Sequence, residues 1–322
     1  MTLSSLLSTP APSVAVQIAP RLVSAISMGR QGDTRVISAH AMEPLPAGVV
    51  VPALNGQNIT DRRAVSQALA RVLVQLGGRI RRVALVVPDS IAKVSLVRLD
   101  SVPARRQDLD QLIRWHVRKA APFPIEEAQV TYSRGQATPD GAQDFVVALA
   151  RREVVKEFEG VCADAGVHAG LVDLATFSLV NAVLAADGPV EGDWLLVHIT
   201  PEYGSIVILR GQDLIFFRNR AEGSEDSLPD LVHQTAMYYE DRLDGRGFSR
   251  VRVTGSGGDG DPSSSVSFNE IRRQVDARLG VRSDTVDPQR VARFSDRIAA
   301  NPSLVNIIAP LVGALAGAGA GV

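Results

Sequence analysis

Residues 14–28, VAVQIAPRLVSAISM, align without a gap onto residues 195–209, LLVHITPEYGSIVIL, at an offset of 181. Each copy reads as an apolar strand, a proline-containing turn and a second, alternating strand. The second copy continues through RGQDLIFFRNR, with Gly211 in the turn, and the first through GRQGDTRVISAHAM. A chain that opens the same meander twice, each time followed by helical segments, points to two related α/β halves. The pattern predicts a first half over residues 12–190, a second over 191–322 and a short disordered lead over 1–11.

The segments between the copies can be read locally. TDRRAVSQALARVLVQLGG (60–78) predicts a helix capped by Thr60 and Asp61 and stopped by Gly77 and Gly78. RRVALVVPD and KVSLVRLD predict strands. Residues 104–120 predict an amphipathic helix with Leu109, Leu112, Ile113, His116 and Ala120 on one face. Arg105, Arg106, Arg114 and Arg118 lie off that face. Pro122 and Pro124 cannot continue a helix and impose a stiff turn, after which Glu126 and Glu127 read as solvated acids. A hairpin and helices over 152–165 and 175–186 follow, and residues of about 80–160 are expected to form a subdomain inserted in the first half. The second half predicts a helix over 227–243, a strand entering GSGGDGDPSSS, a helix over 267–279, a short strand near 281–286 and C-terminal helices.

Composition removes several function classes. Across 322 residues the net charge is −1, which gives no global attraction to nucleic acid. One cysteine, Cys162, excludes a disulfide framework and a cysteine-based zinc cluster, and fits a buried thiol in a reducing compartment. The histidines, at 40, 116, 168, 198 and 233, show no metal-ligand spacing. There is no Gly-x-Ser-x-Gly elbow and no Gly-x-x-x-x-Gly-Lys-[Ser/Thr] loop. MTLSSLLSTPAPS lacks the basic and apolar parts of a signal peptide. The uncharged run from Ile298 to Val322 is interrupted by Asn301, Pro302, Asn306 and Pro310, so a buried terminal helix with a frayed Gly/Ala tail is expected in place of a membrane anchor.

The duplicated opening and the late strand-to-glycine turn VTGSGG resemble the actin-like ATPase superfamily, which has a duplicated, ribonuclease H-like α/β fold. IRWHVRKAAPFPIEEAQVTY (113–132) is similar to the helix–Pro-Phe-Pro–Glu-Glu–strand joint of the PilM family of type IV pilus assembly proteins. LVRLDSVPARRQDLDQLI, LVDLATFSLVNAV after AGVHAG, and IIAPLVGALAG resemble that family in the same order, over residues of about 12–316. The resemblance implies an inserted α/β subdomain in the first half, placed as in the division protein FtsA. It also implies a cytoplasmic scaffold at the inner face of the inner membrane, peripheral to the bilayer through its partners. The partners implied are the N-terminal tail of a PilN-like membrane protein and other platform proteins, with a homo-oligomer also allowed. The tail would lie in a groove between the first-half core and the insertion, near Trp115, Pro122, Phe123 and Pro124.

The nucleotide chemistry of the superfamily is altered in this chain. Members place Asp-[Ile/Leu]-Gly-[Ser/Thr] at the start of each half, the aspartate organising Mg²⁺ and the glycine admitting phosphate to backbone N–H groups. Here Gln17 and His198 stand at the aspartate positions, Ala19 and Thr200 at the glycine positions, and Pro20 and Pro201 next. An amide and an imidazole are poor ligands for magnesium, and proline removes a donor. Gly255, Gly257 and Gly258 remain where an adenosine-facing turn would be, in a segment that also reads as a surface loop. The helical subdomain of the second half is shortened to about one helix between Gly223 and Arg250. The expectation is a scaffold that is non-catalytic or only weakly nucleotide-binding and that needs no cofactor. The alternatives are a working Mg-ATP-dependent switch of the same machine and the actin-like cytoplasmic subunit of a type II secretion system.

Overall fold

A computed structural model describes residues 11–138, 141–188, 190–221, 227–255 and 267–318. β1 (Val14–Ala19), β2 (Leu22–Gln31) and β3 (Thr34–Pro44) form an antiparallel meander. Helix α1 (Arg62–Leu76) then leads to β4 (Arg82–Val87), which lies parallel to β1. An insertion follows: β5 (Ala92–Leu99), α2 (Arg106–Val117), β6 (Ala128–Ala137) and β7 (Gln143–Arg151), with the strands in the order β5-β7-β6. The chain returns through α3 (Arg152–Asp164) to β8 (His168–Leu174), parallel to β4, and α4 (Ala175–Asp187).

The second meander is β9 (Asp193–Ile199), β10 (Tyr203–Arg210) and β11 (Asp213–Ala221). It is followed by α5 (Leu228–Arg242), β12 (Arg250–Gly255) parallel to β9, and α6 (Phe268–Leu279). A two-residue strand, β13 (Arg293–Phe294), and α7 (Pro302–Gly317) complete the described chain. The large sheets run β13-β3-β2-β1-β4-β8 and β11-β10-β9-β12, so both contain the order third–second–first–fourth. The gapless repeat is a repeat of register as well as of sequence. Gln17 pairs with Ser24 as His198 pairs with Ser205, and the meanders bulge between Ser27 and Met28 and between Ile208 and Leu209, again 181 apart.

Both faces of each large sheet are covered, which is why their strands read as nearly continuous apolar runs. α1 and α3 close one face of the first sheet through Val65, Leu69, Phe158 and the buried Cys162. α5 and α6 close one face of the second through Leu231, Tyr239 and Val275. The other two faces are closed by exchange. α7, from the chain's end, puts Ile308, Leu311 and Leu315 against Ile26, Ile37 and Val86 of the first sheet. α4, which follows the first sheet, puts Leu179 and Val183 against Trp194 and Leu196 of the second. The two helices meet at Gly313, where an added Cβ would fall 1.6 Å from the Ser178 carbonyl oxygen. The buried carboxylate of Asp187, at the end of α4, accepts from Arg250 and Arg252 and forms an ion pair with Arg290, fastening that end to β12 and the following segment.

The uncharged run is thus an internal helix as far as residue 317, and its last residues, 319–322, lie outside the described chain. No helix among the described residues is long and apolar enough to cross a membrane. Several local expectations need correction. Helix α2 spans 106–117, and its buried stripe is Leu109, Ile113 and Val117, with His116 exposed; valine buries without needing a hydrogen-bond partner, whereas imidazole does not. The strand expected near 281–286 is a single bridge, Arg252 to Asp284. Glu127 is not simply solvated but pairs with Arg151 at 3.0 Å.

Candidate functional site

The two proline corners face each other. Arg21, just after Pro20, and Glu202, just after Pro201, occupy equivalent places in the repeat and approach to 3.6 Å. Both are partly exposed, so this pair adds only ~0–1 kcal/mol, but its distance shows how near the two corners stand. In the second corner the turn consumes its own donors. Thr200 Oγ1 accepts from the N–H groups of Glu202 (3.3 Å) and Tyr203 (3.0 Å). Those are the groups an approaching anion would need.

Beneath the corners lies a buried polar chain that crosses from one half to the other. It centres on Asp89, in the single-turn helix Asp89–Ile91 after β4, whose side chain is fully buried. The Asp89 carboxylate accepts from the Thr176 N–H (3.0 Å), from the Thr176 hydroxyl and from Ser205 Oγ (2.6 Å). Ser205 in turn accepts from Asn219 Nδ2 (2.9 Å), and Asn219 Oδ1 accepts from Ser90 Oγ (3.2 Å). His198 Nδ1 stands 2.8 Å from Thr176 Oγ1 and 3.7 Å from Asp89 Oδ2. The single hydroxyl proton of Thr176 is used on Asp89, so Nδ1 of His198 must carry the proton of the remaining contact.

Electrostatics agree with this arrangement. Burial alone would raise the Asp89 carboxyl, yet His198, Ser205 and Thr176 together hold it below its ordinary value. Burial pushes neighbouring Asp173 up to about 6, with the Asp89 charge acting in the same direction. The Tyr203 ring stands edge-on to His198 at 5.8 Å, and burial carries its hydroxyl well above the usual phenol range. Asp89, Thr176 and Ser205 have no solvent-accessible surface. The cluster therefore resembles a hydrolase triad in residue types only, because Ser205 is wholly buried and its hydroxyl is bonded to Asp89, while His198 Nδ1 faces Thr176.

The sequence-predicted residues divide between this site and a second surface. Gln17 and His198 occupy equivalent register positions, with Gln17 half-buried and His198 in the polar chain. Gly255 pairs with Ile199, has φ of +119°, and an added Cβ would lie 1.9 Å from the Ile199 carbonyl oxygen. Sheet geometry alone therefore demands glycine there. Gly257 and Gly258 lie outside the described residues. On the insertion, Trp115 is 67% exposed, and Pro122 and Pro124 are exposed. Phe123 is instead buried among Leu109, Ile113 and Phe145. The Pro122 carbonyl accepts from Asn55 Nδ2 at 3.2 Å, so the turn abuts a loop of the first half.

Asp89, Thr176 and Ser205 escaped sequence reading. The available signal was a carboxylate ending the wholly apolar run of β4, where an exposed end is not expected. Among the described residues no group of histidine, cysteine, aspartate and glutamate could hold a metal ion. Two features weigh against Mg-ATP, the ligand the resemblance implies: a buried carboxylate, Asp89, is bonded from both halves, and the N–H groups of Glu202 and Tyr203 in the second corner are already bonded to Thr200.

The family model described as type IV pilus assembly protein PilM matches residues 15–242. Among solved structures, the PilM-PilN type IV pilus biogenesis complex aligns with a TM-score of 0.77 at 17% identity, over 96% of this chain and 98% of that one. That likeness carries the actin-like, two-half fold. Ethanolamine utilization protein EutJ from Carboxydothermus hydrogenoformans aligns at 0.49 and 11% identity, over 96% and 90%. The cytoplasmic domain of EpsL, an inner membrane component of the type II secretion system of Vibrio cholerae, aligns at 0.45 and 9%, over 75% and 81%.

Proposed function

Since this chain belongs to the PilM family of type IV pilus assembly proteins, we propose that it is a non-catalytic scaffold of a pilus assembly platform. In this reading it works at the cytoplasmic face of the inner membrane and is held there by a membrane partner. The observation that carries the non-catalytic part is the Asp89 chain. A carboxylate of the protein's own, bonded from both halves, stands beside His198, which holds the position of the superfamily's second aspartate. The likeness to a structure of a PilM-PilN complex supports a PilN-like partner, bound through its N-terminal tail. The joint between the insertion and the first half supports the placement of that tail. Trp115, Pro122 and Pro124 offer exposed apolar and rigid surface there, and Phe123 holds the turn from inside.

Two measurements test this. In a calorimetric titration with the tail peptide of a candidate PilN-like partner, Trp115→Ala should weaken binding ~10-fold or more, as central aromatic anchors do. Arg105→Ala should leave it unchanged, and equal affinities for both variants would remove Trp115 from the groove. In a thermal-shift series Mg-ATP should not move the melting temperature. A ligand at 100 times its Kd adds about 2.7 kcal/mol, so a clear rise would favour the ATP-switch alternative. His198→Ala is the control for such a rise, because Gly255 cannot be changed without breaking the sheet.

A further inference from the structure

We infer that the Asp89 carboxylate is an internal ligand: it occupies an oxyanion cradle assembled across the two halves and so holds them together with nothing bound from outside. This rests on the reading above that the cleft takes no nucleotide. The cradle is built as an anion site would be. The Thr176 N–H lies at the second residue of α4, where helix N–H groups have no intrahelical acceptor and the helix dipole favours negative charge. Two hydroxyls complete it, Thr176 from the first half and Ser205 from the second. His198 stands behind Thr176 and supplies a further N–H. Every donor is spent on the chain or on Asp89 itself. Asp89 and Thr176 come from the first half, while Ser205, His198 and Asn219 come from the second, so the bonds to this one carboxylate span the cleft.

The chemistry that fits the cradle is a small oxyanion, carboxylate in this chain. Removing the carboxylate should leave a vacant site of defined charge preference, and that is testable on the full chain. Asp89→Ala should lower the melting temperature. Sodium formate should then restore part of the loss, saturating with concentration, where sodium chloride at equal ionic strength does not. The unaltered protein should show no such difference between the two salts. An Asp89→Ala protein that folds and melts identically in formate and chloride would overturn the inference.

Asp89→Asn, nearly isosteric, covers the case in which the alanine variant does not fold. With Arg21→Cys and Glu202→Cys placed at the facing corners, a short bis-maleimide should bridge the halves quickly in the Asp89 background. It should do so several-fold more slowly once the charge that gathers the donors is gone. Equal rates would refute the clasp. Cys162 is buried and does not compete for the reagent. Stabilisation of the unaltered protein by Mg-ATP would sink the scaffold reading instead, so the two ideas fail separately.

Discussion

Asp173→Asn should make the protein more stable at neutral and alkaline pH, and the size of the gain follows from the site. Asp173 is the penultimate residue of β8, two residues before the start of α4. Its carboxylate accepts from Ser178 Oγ (2.7 Å) and from the Leu174 N–H (2.9 Å). Burial nevertheless dominates and, with Asp89 nearby, pushes its carboxyl from an ordinary 3.8 up to about 6. A carboxyl whose folded value lies above its unfolded value supports the fold only while it is protonated. That support is complete below about 3.8 and is lost as pH rises through about 6. Two units correspond to ~3 kcal/mol at most, and because the residue as a whole is only partly buried, ~1–2 kcal/mol is the realistic penalty. An amide keeps the shape and never ionises. Its oxygen can still take the Leu174 N–H, and Ser178 can turn to accept from its NH₂. Urea denaturation at about pH 8 should show the variant ahead by ~1–2 kcal/mol, and at about pH 4 by less than ~0.5 kcal/mol. A variant with the same advantage at both pH values, or one less stable at pH 8, would refute the reasoning.

Three other outcomes can be checked directly. Phe123→Ala should cost ~3 kcal/mol by opening a cavity beside Ile113 and Phe145, whereas Trp115→Ala, at an exposed site, should change stability by less than ~0.5 kcal/mol; chemical denaturation of both measures this. Gly313→Ala should destabilise by at least ~2 kcal/mol, since the new methyl meets the Ser178 carbonyl, a backbone atom that cannot turn aside; a thermal melt unchanged from the parent would mean that α4 and α7 stand further apart. Cys162, buried and with its thiol pushed up to about 12, should stay unlabelled by thiol reagents in the native protein, and its labelling rate should follow global unfolding in urea.

The parts of the fold that could be read in advance are those written in local periodicity. Because the repeat from 14 to 28 returns at 195 to 209, it carried both meanders; their matched register and shared bulge came only with the structure. The Asp61 cap announces a helix start through chemistry confined to three residues. His198 was singled out because its repeat partner is Gln17 and neither is the aspartate the superfamily uses. Its true partners were not legible. Thr176 is 87 residues from Asp89 and Ser205 is 116, and no periodicity in one sequence records a contact over such separations. His116 failed for the opposite reason. It was assigned from a stretch whose spacing allowed two faces, and the choice was made by the insertion's own small core, which accepted Val117 and left His116 outside.

The exchange of α4 and α7 has a consequence for how the chain must be made and handled. Ile26, Ile37 and Val86 leave the ribosome early, but the helix that covers them is translated last among the described elements. The first sheet therefore waits through the rest of synthesis with one greasy side bare. A gene fragment cut between the halves would leave that side without its lid for good, and would yield sticky, misassembled material instead of a working part.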